Sequence, residues 1–398
     1  MKLADFSSPE FFQNPYPLYE KLRAEGPLVP VGPNMMMSGH YDVVDTLMHD
    51  RRMARDIEGS VRARYGTQGF QNPVLQALRK MVFALNPPEH TRMRSLLMKA
   101  FNARQVDSMR NLADSIAHRL IDGFSGDGAA DLLSAYALPF PVELISAMLG
   151  VPRERNPELA AALKQITKLF EAAPVDAEDL PNVNDAYLML ERYFGEIVEA
   201  RRKQPRTDLI SMLIGVQEDD ERLTHDEIVA NVIVLYLAGH ESTSHMIGNA
   251  LITLQRHPPQ FEALKSNLTK LPNAILESLR YESSVHLATR VATEDMEISG
   301  VPLPRGTLVF MSLGAANRDP ARFAHPDRFD IERELPRAIT FGGGIHHCLG
   351  YRLAMLELEA SLRVLLSRLP GLTLTGIDNL NWFPRGTLRG VEKLMARW

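Results

Sequence analysis

Phe341-Gly-Gly-Gly-Ile-His-His-Cys-Leu-Gly350 holds the only cysteine of the chain, Cys348. Its three successive glycines, Gly342, Gly343 and Gly344, let the backbone approach a neighbour closely, because glycine lacks a Cβ and accepts positive φ. A helical pattern follows at once, from Leu349 to about Leu366. The thiol thus sits near a helix N-terminus, where the dipole and unpaired N–H groups favour a thiolate. One cysteine and no CxxC rule out a four-thiolate zinc or iron–sulfur site, and the lack of CxxCH rules out covalent c-type haem attachment. Zinc on His346-His347-Cys348 is a poor fit, since adjacent residues rarely converge on one tetrahedral ion. Two readings stay open: a lone axial thiolate on haem iron, or a small buried hydrophobe.

Composition bounds the rest. A chain of 398 residues with 45% hydrophobic and 23% charged residues reads as a soluble globular protein with a large core. A net charge of −5 argues against a nucleic-acid or anionic-membrane surface. The single cysteine excludes an intramolecular disulfide and suits a reducing compartment. Neither a signal peptide nor a membrane anchor is expected, because the N-terminal stretch has no apolar core and no 18-residue apolar span.

Outward from the cysteine, the pattern is mainly helical with small sheets. A short helix within Phe11–Leu28 stops at Gly26-Pro27, Val29–Ser38 reads as one strand, and Tyr41–Asp50 as a helix. Arg51 to about Met81 lacks periodicity and is expected to be a long surface loop. In Asn86–Arg94 (NPPEHTRMR), the two prolines and Glu89 open a helix that sets His90 and Arg94 on one face. Helical stretches follow over Val106–Phe124, Leu132–Leu149, Pro157–Phe170, Asp185–Arg202 and Asp208–Val216, then an acidic turn, Glu218–Glu221.

Thr224-His-Asp-Glu227 is a capping box for a helix running to His257. Its Ile228–Ala238 run is apolar nearly all round, so it should pass through the core. Ala238-Gly-His-Glu-Ser-Thr243 interrupts that run with small residues and an acid, which is costly to bury unless paired or functional. Leu271–Ser283 is helical and places Glu277 and Arg280 three apart on one face. Asp295–Gly300 with Gly306–Leu313 reads as a two-stranded element, and Leu372–Trp382 with Arg385–Leu394 as a final hairpin.

These features together resemble the cytochrome P-450 family. FGGGIHHCLG matches its haem-binding loop, FxxGxHxCxG, through Phe341, Gly344, His346, Cys348 and Gly350. The likeness extends from about Phe11 to the C-terminus and implies one haem domain over residues 1–398, with no fused reductase or ferredoxin. It implies a mainly α fold with small β-sheets, the haem lying between the long central helix and the cysteine-loop helix. Haem b (iron protoporphyrin IX) would take Cys348 as its metal ligand, with Phe341, Gly342, His346 and Gly350 around it. His90, Arg94 and Arg290 would hold the haem propionates, as charge-assisted pairs. Ala238 and Gly239 would form the oxygen groove. Glu241 would be the acid of the proton-delivering acid–alcohol pair, with Ser242 at the usual threonine position and Thr243 next. Serine there keeps the hydroxyl but lacks the stiffness of a β-branched side chain. Glu277 and Arg280 match the structural ExxR pair, and Arg328 in His325–Asp330 is expected as its third member. Leu237, Val285, His286 and Leu287 are candidates for substrate contact, and the variable loop before residue 81 would roof the pocket.

The activity implied is a haem-thiolate monooxygenase that hydroxylates or epoxidises a small, mostly apolar substrate with O2, in secondary-metabolite biosynthesis or catabolism. Two electrons would come from a separate donor, a ferredoxin with its reductase, steered by basic residues such as Arg337 and Arg352. A bacterial-type, cytoplasmic, monomeric enzyme without membrane or nucleic-acid partners is expected. A peroxide-driven hydroxylase on the same fold would replace Glu241-Ser242 with an Arg–Pro pair, and a haem-binding sensor or carrier would have no need of Glu241-Ser242.

Overall fold

The computed structural model describes residues 1–171, 175–218, 221–334 and 337–398, so Asp219 and Asp220 of the expected acidic turn lie outside the described residues. The chain divides into two compact units. One comprises Met1–Ala54, Ala113–Phe140 and Ser242–Trp398, the other Arg55–Leu112 and Pro141–Glu241.

The described strands belong to the first unit. They are β1 (Val29–Gly32), β2 (Met35–Ser38), β3 (Met53–Ala54), β4 (Ala129–Asp131), β5 (Leu287–Ala292), β6 (Met296–Ile298), β7 (Val301–Leu303), β8 (Leu308–Ser312), β9 (Thr373–Leu374) and β10 (Met395–Arg397). The stretch expected as one strand, Val29–Ser38, is two: Pro33 and left-handed Asn34, at φ 53°, turn β1 back onto β2. A five-stranded sheet runs β1-β2-β8-β5-β3, with β2 and β8 parallel and the other pairs antiparallel. β4, β10 and β9 form a second sheet.

Two strand expectations are corrected. β6 pairs with β7 and not with β8, because Ser299 and Gly300, at φ 52° and 78°, close a two-residue hairpin turn. β8, buried at four of its five positions, instead fills the centre of the five-stranded sheet. The final hairpin keeps only a Trp382–Val391 bridge, and β9 pairs with β10 beyond Leu394. In this unit, the helix Tyr41–His49 buries Val43, Val44, Leu47 and Met48 in a core shared with Val309, Met311, Phe323 and Ile339.

The stretch expected as a long loop is largely helical. In the second unit, Ile57–Tyr65 starts at Asp56, whose carboxylate accepts the Gly59 N–H at 2.8 Å, and stops at Gly66, at φ 71°. Pro73–Ala77 follows, opened by its proline and buried through Val74 and Leu75. Polar residues on the outward faces hide this pattern in the sequence. Longer helices of the unit include Glu89–Ala100, Asn156–Thr167 and Leu180–Lys203.

The central helix, His225–Arg256, begins in the second unit and ends in the first. Its capping box forms: the Thr224 N–H donates to Glu227 at 2.9 Å, and the Glu227 N–H donates to the Thr224 hydroxyl at 3.2 Å. Among the described residues no helix is long and apolar enough to cross a membrane.

Candidate functional site

In the first unit, the cysteine loop is a chain of tight turns. Gly342 and Gly344 lie at φ 71° and 61°, where glycine avoids the Cβ clash. The Cys348 N–H donates to the Phe341 carbonyl at 2.9 Å, closing the loop on itself. The 18-residue helix Tyr351–Arg368 starts three residues after the thiol, with Gly350 at its N-cap. Phe341 packs edge-on against Tyr351, ring centroids 4.8 Å apart. Cys348 is half-buried, at the positive end of a long helix dipole that stabilises a thiolate.

The donor set fits haem. Among the described residues no cluster of three or more His, Cys, Asp or Glu side chains could hold a bare metal ion. A lone thiolate suits an iron that would bring its other ligands with it, as haem would.

Behind the loop lies a buried charge network. Arg280 grips the Glu277 carboxylate with Nε and Nη2, both at 2.8 Å, and both side chains are wholly buried. The third member is Arg333 and not Arg328, which corrects the expectation. Arg333 Nε reaches Glu277 at 3.1 Å, whereas the Arg328 side chain is 67% exposed and lies 3.5 Å from Asp330. Arg328 contributes its carbonyl instead, accepting from Arg280 and Arg333 at 3.3 and 2.7 Å. Left-handed His325, at φ 50°, opens the turn that directs the Arg328 side chain outward.

The network reaches the cysteine loop through one asparagine. Arg280 Nη1 donates to the Asn317 carbonyl at 3.0 Å. The Asn317 side chain then binds the Thr340 hydroxyl at 3.0 Å and the Ile339 N–H at 2.9 Å, directly before Phe341. Arg290, on β5, is 5% exposed and donates to the Thr289 carbonyl at 2.8 Å. A guanidinium buried this far suits an anionic partner.

His286, a candidate for substrate contact, is packed in the interior. Its ring is buried between Tyr16 and Tyr19 and pressed against Gly314, and its Nδ1 lies 2.9 Å from the Tyr19 hydroxyl. Burial, with Arg389 adding to it and Glu282 opposing, holds the imidazole neutral down to about 3. Of its neighbours, Val285 is half-buried and Leu287 packs against the cluster around Phe6, Phe11 and Phe310.

The central helix supplies residues to both units. In the second, Leu237 is buried, Ala238 is exposed, and a Cβ at Gly239 would meet no described atom within 4 Å, so space opens beside the helix there. His240 is buried, and burial lowers its pKa while Glu241 opposes the shift. Glu241 itself is half-buried. The same unit holds His90, 2% exposed, and half-buried Arg94 on the helix Glu89–Ala100.

In the first unit, Ser242 is half-buried and Thr243 is 4% exposed. The Thr243 side chain hydrogen-bonds to Glu357, a residue that the sequence reading passes over. Glu357 stands on the cysteine helix with 1% exposure, and burial pushes its carboxyl well above the ordinary glutamate range, the Thr243 bond acting the other way. It shares the buried face of that helix with Leu353 and Leu356, a burial that the letters alone do not disclose.

With this geometry described, the chain can be set beside known proteins. The sequence model of the family described as Cytochrome P450 matches residues 31–370. The "Putative cytochrome P450 133B1" of Xylella fastidiosa is 50% identical over 396 residues, covering 100% of this chain and 98% of the relative. The "6-deoxyerythronolide B hydroxylase" of Saccharopolyspora erythraea is 34% identical over 403 residues, covering 99% and 98%. Among solved structures, P450BioI in complex with an acyl carrier protein ligated to hexadec-9Z-enoic acid aligns with a TM-score of 0.91 at 31% identity, covering 98% of this chain and 100% of that one. Cysteine loop, helical fold and family match agree: the chain belongs to the cytochrome P450 family, haem b enzymes that incorporate oxygen into organic substrates.

Proposed function

We propose that residues 1–398 act as one cytoplasmic, monomeric haem domain, with the Cys348 thiolate as the ligand to haem iron. The observation that carries this reading is the presentation of the chain's sole thiol. It sits at a glycine turn before an 18-residue helix, with the buried Glu277–Arg280–Arg333 network tied in behind the loop. His90, Arg94 and Arg290 are the basic residues assigned to the two haem propionates, and the burial of His90 and Arg290 supports that role. Haem b, when bound, supplies oxygen activation, placing one oxygen atom in the substrate and releasing the other as water at the expense of two electrons.

The protein's own residues manage protons and access. Glu241, half-buried, exchanges protons with water, and Ser242 holds the proton-donating hydroxyl beside it. Thr243 is committed to Glu357, which supports Ser242 in the alcohol role. Ala238 and Gly239 leave room for the small oxidant. The substrate is read as a mostly apolar organic compound, as are the 6-deoxyerythronolide B and the hexadec-9Z-enoic acid named for the relatives above. A ferredoxin with its reductase is the proposed donor, docking on exposed Arg337 and Arg352 with exposed Ile345 and Tyr351 beside them.

The reading is tested on haem-loaded protein reduced under carbon monoxide. A red-shifted Soret band, the family's thiolate signature, is expected for the wild type and its loss for Cys348→Ser. Wild-type protein with a full haem complement but no such band would overturn the assignment.

A further inference from the structure

The cysteine loop leans on a helix far from it in sequence, the last turn of Tyr41–His49. The Gly344 N–H donates to His49 Nε2 at 3.1 Å. His49 Nδ1 lies 2.8 Å from the Asp45 carbonyl and 3.5 Å from its carboxylate, both acceptors. The proton of the neutral imidazole therefore belongs on Nδ1, and the Nε2 lone pair faces Gly344. Two of the loop's three glycines are there for this helix end. A Cβ at Gly344 would run into the Met48 carbonyl, and one at Gly343 would lie 2.9 Å from His49 Cε1.

The contact is built in at both ends. The helix starts where the Tyr41 N–H donates to Asp319 at 2.8 Å, and the Tyr41 hydroxyl donates to the Arg337 carbonyl. On the loop side, Gly344 opens the short turn Gly344–His346 and accepts the His347 N–H at 3.2 Å, one residue before the thiol. Holding Gly344 therefore holds the turn from which Cys348 is presented.

We propose that His49 is a positioning residue for the cysteine loop, accepting the Gly344 N–H and so fixing the aim of Cys348. This rests on the reading of Cys348 as the haem ligand. Loop N–H groups tune a metal-bound thiolate, and their aim depends on the backbone that carries them.

The test compares holoenzymes carrying His49→Leu, which lacks an acceptor, and His49→Gln, whose amide oxygen replaces Nε2. The His49 side chain is 46% exposed, so both variants leave the core intact. His49→Leu should lose the red-shifted carbon monoxide band about fivefold faster on mild warming, as expected for one lost hydrogen bond, and should shift the haem reduction potential. His49→Gln should restore both, with the unfolding midpoints of all three proteins within a few degrees of one another. A Leu variant that matches wild type in band lifetime and potential, or a Gln variant as disturbed as Leu, overturns the proposal. If wild-type holoprotein never shows the band, the ligand assignment itself has failed.

Discussion

Serine at position 242 departs from the family pattern beside the proposed oxygen site, and its neighbour bears on how it is read. Thr243 faces inward at 4% exposure and bonds Glu357, while Ser242, half-buried, follows Glu241. One position along a helix rotates a side chain by about 100°, so the two hydroxyls serve different faces. Ser242→Ala should lower the product formed per reductant oxidised by roughly a hundredfold, the low end of what a general acid–base relay supplies, with substrate affinity kept. Thr243→Val should leave that ratio near wild type. Coupling that fails in Thr243→Val and survives in Ser242→Ala would exchange the roles. The proposed roles of Cys348 and Ser242 come from the family resemblance and not from spacing alone. Glu357 was not singled out, since an acid within Leu356-Glu-Leu-Glu359 reads as surface until the partner of its helix face is known.

Elements were legible where one physical signal dominated. The capping box, the apolar run of the central helix and the helix after Cys348 all formed where expected. Short strands were harder, because three to five residues carry little periodicity and left-handed turns such as Ser299-Gly300 decide which strand meets which. The same limit applies to the third partner of Glu277, since backbone turns choose between Arg328 and Arg333. Arg333 gives Glu277 one charge-assisted bond and donates to the Ala324, His325 and Arg328 carbonyls. Arg333→Ala should therefore cost about 2–3 kcal/mol of stability, the range for losing a hydrogen bond to a buried charge. Arg328→Ala should stay within about 0.5 kcal/mol, as an exposed side chain does. Denaturant midpoints of the two variants check the order, and a more damaging Arg328→Ala would restore the original pairing.

For the whole molecule, the buried Glu357 carboxyl ties stability to pH. Below its ordinary value near 4.5 the group is protonated in both folded and unfolded chains, and it contributes no pH dependence. Above that value the unfolded chain releases the proton while the folded chain retains it, so stability falls as pH rises, by at most about 1.4 kcal/mol per pH unit from this one group. Glu357→Gln removes that slope. The variant should gain on wild type steadily between pH 5 and 7 in urea midpoints, and parallel curves would mean the folded carboxylate is ionised. The helical class and the family resemblance needed no coordinates, because both depend on residue type and local spacing. Who stands against whom did need them: Arg333 on Glu277, Glu357 on Thr243, and His49 on Gly344 join residues from 56 to 295 positions apart. Those pairings follow from turns and packing that bring distant segments together, and no local pattern carries that information. The glycines after Phe341 show the division well. Their need for close approach was readable from the letters, but that the approaching neighbour is the end of the Tyr41–His49 helix was decided only by the fold.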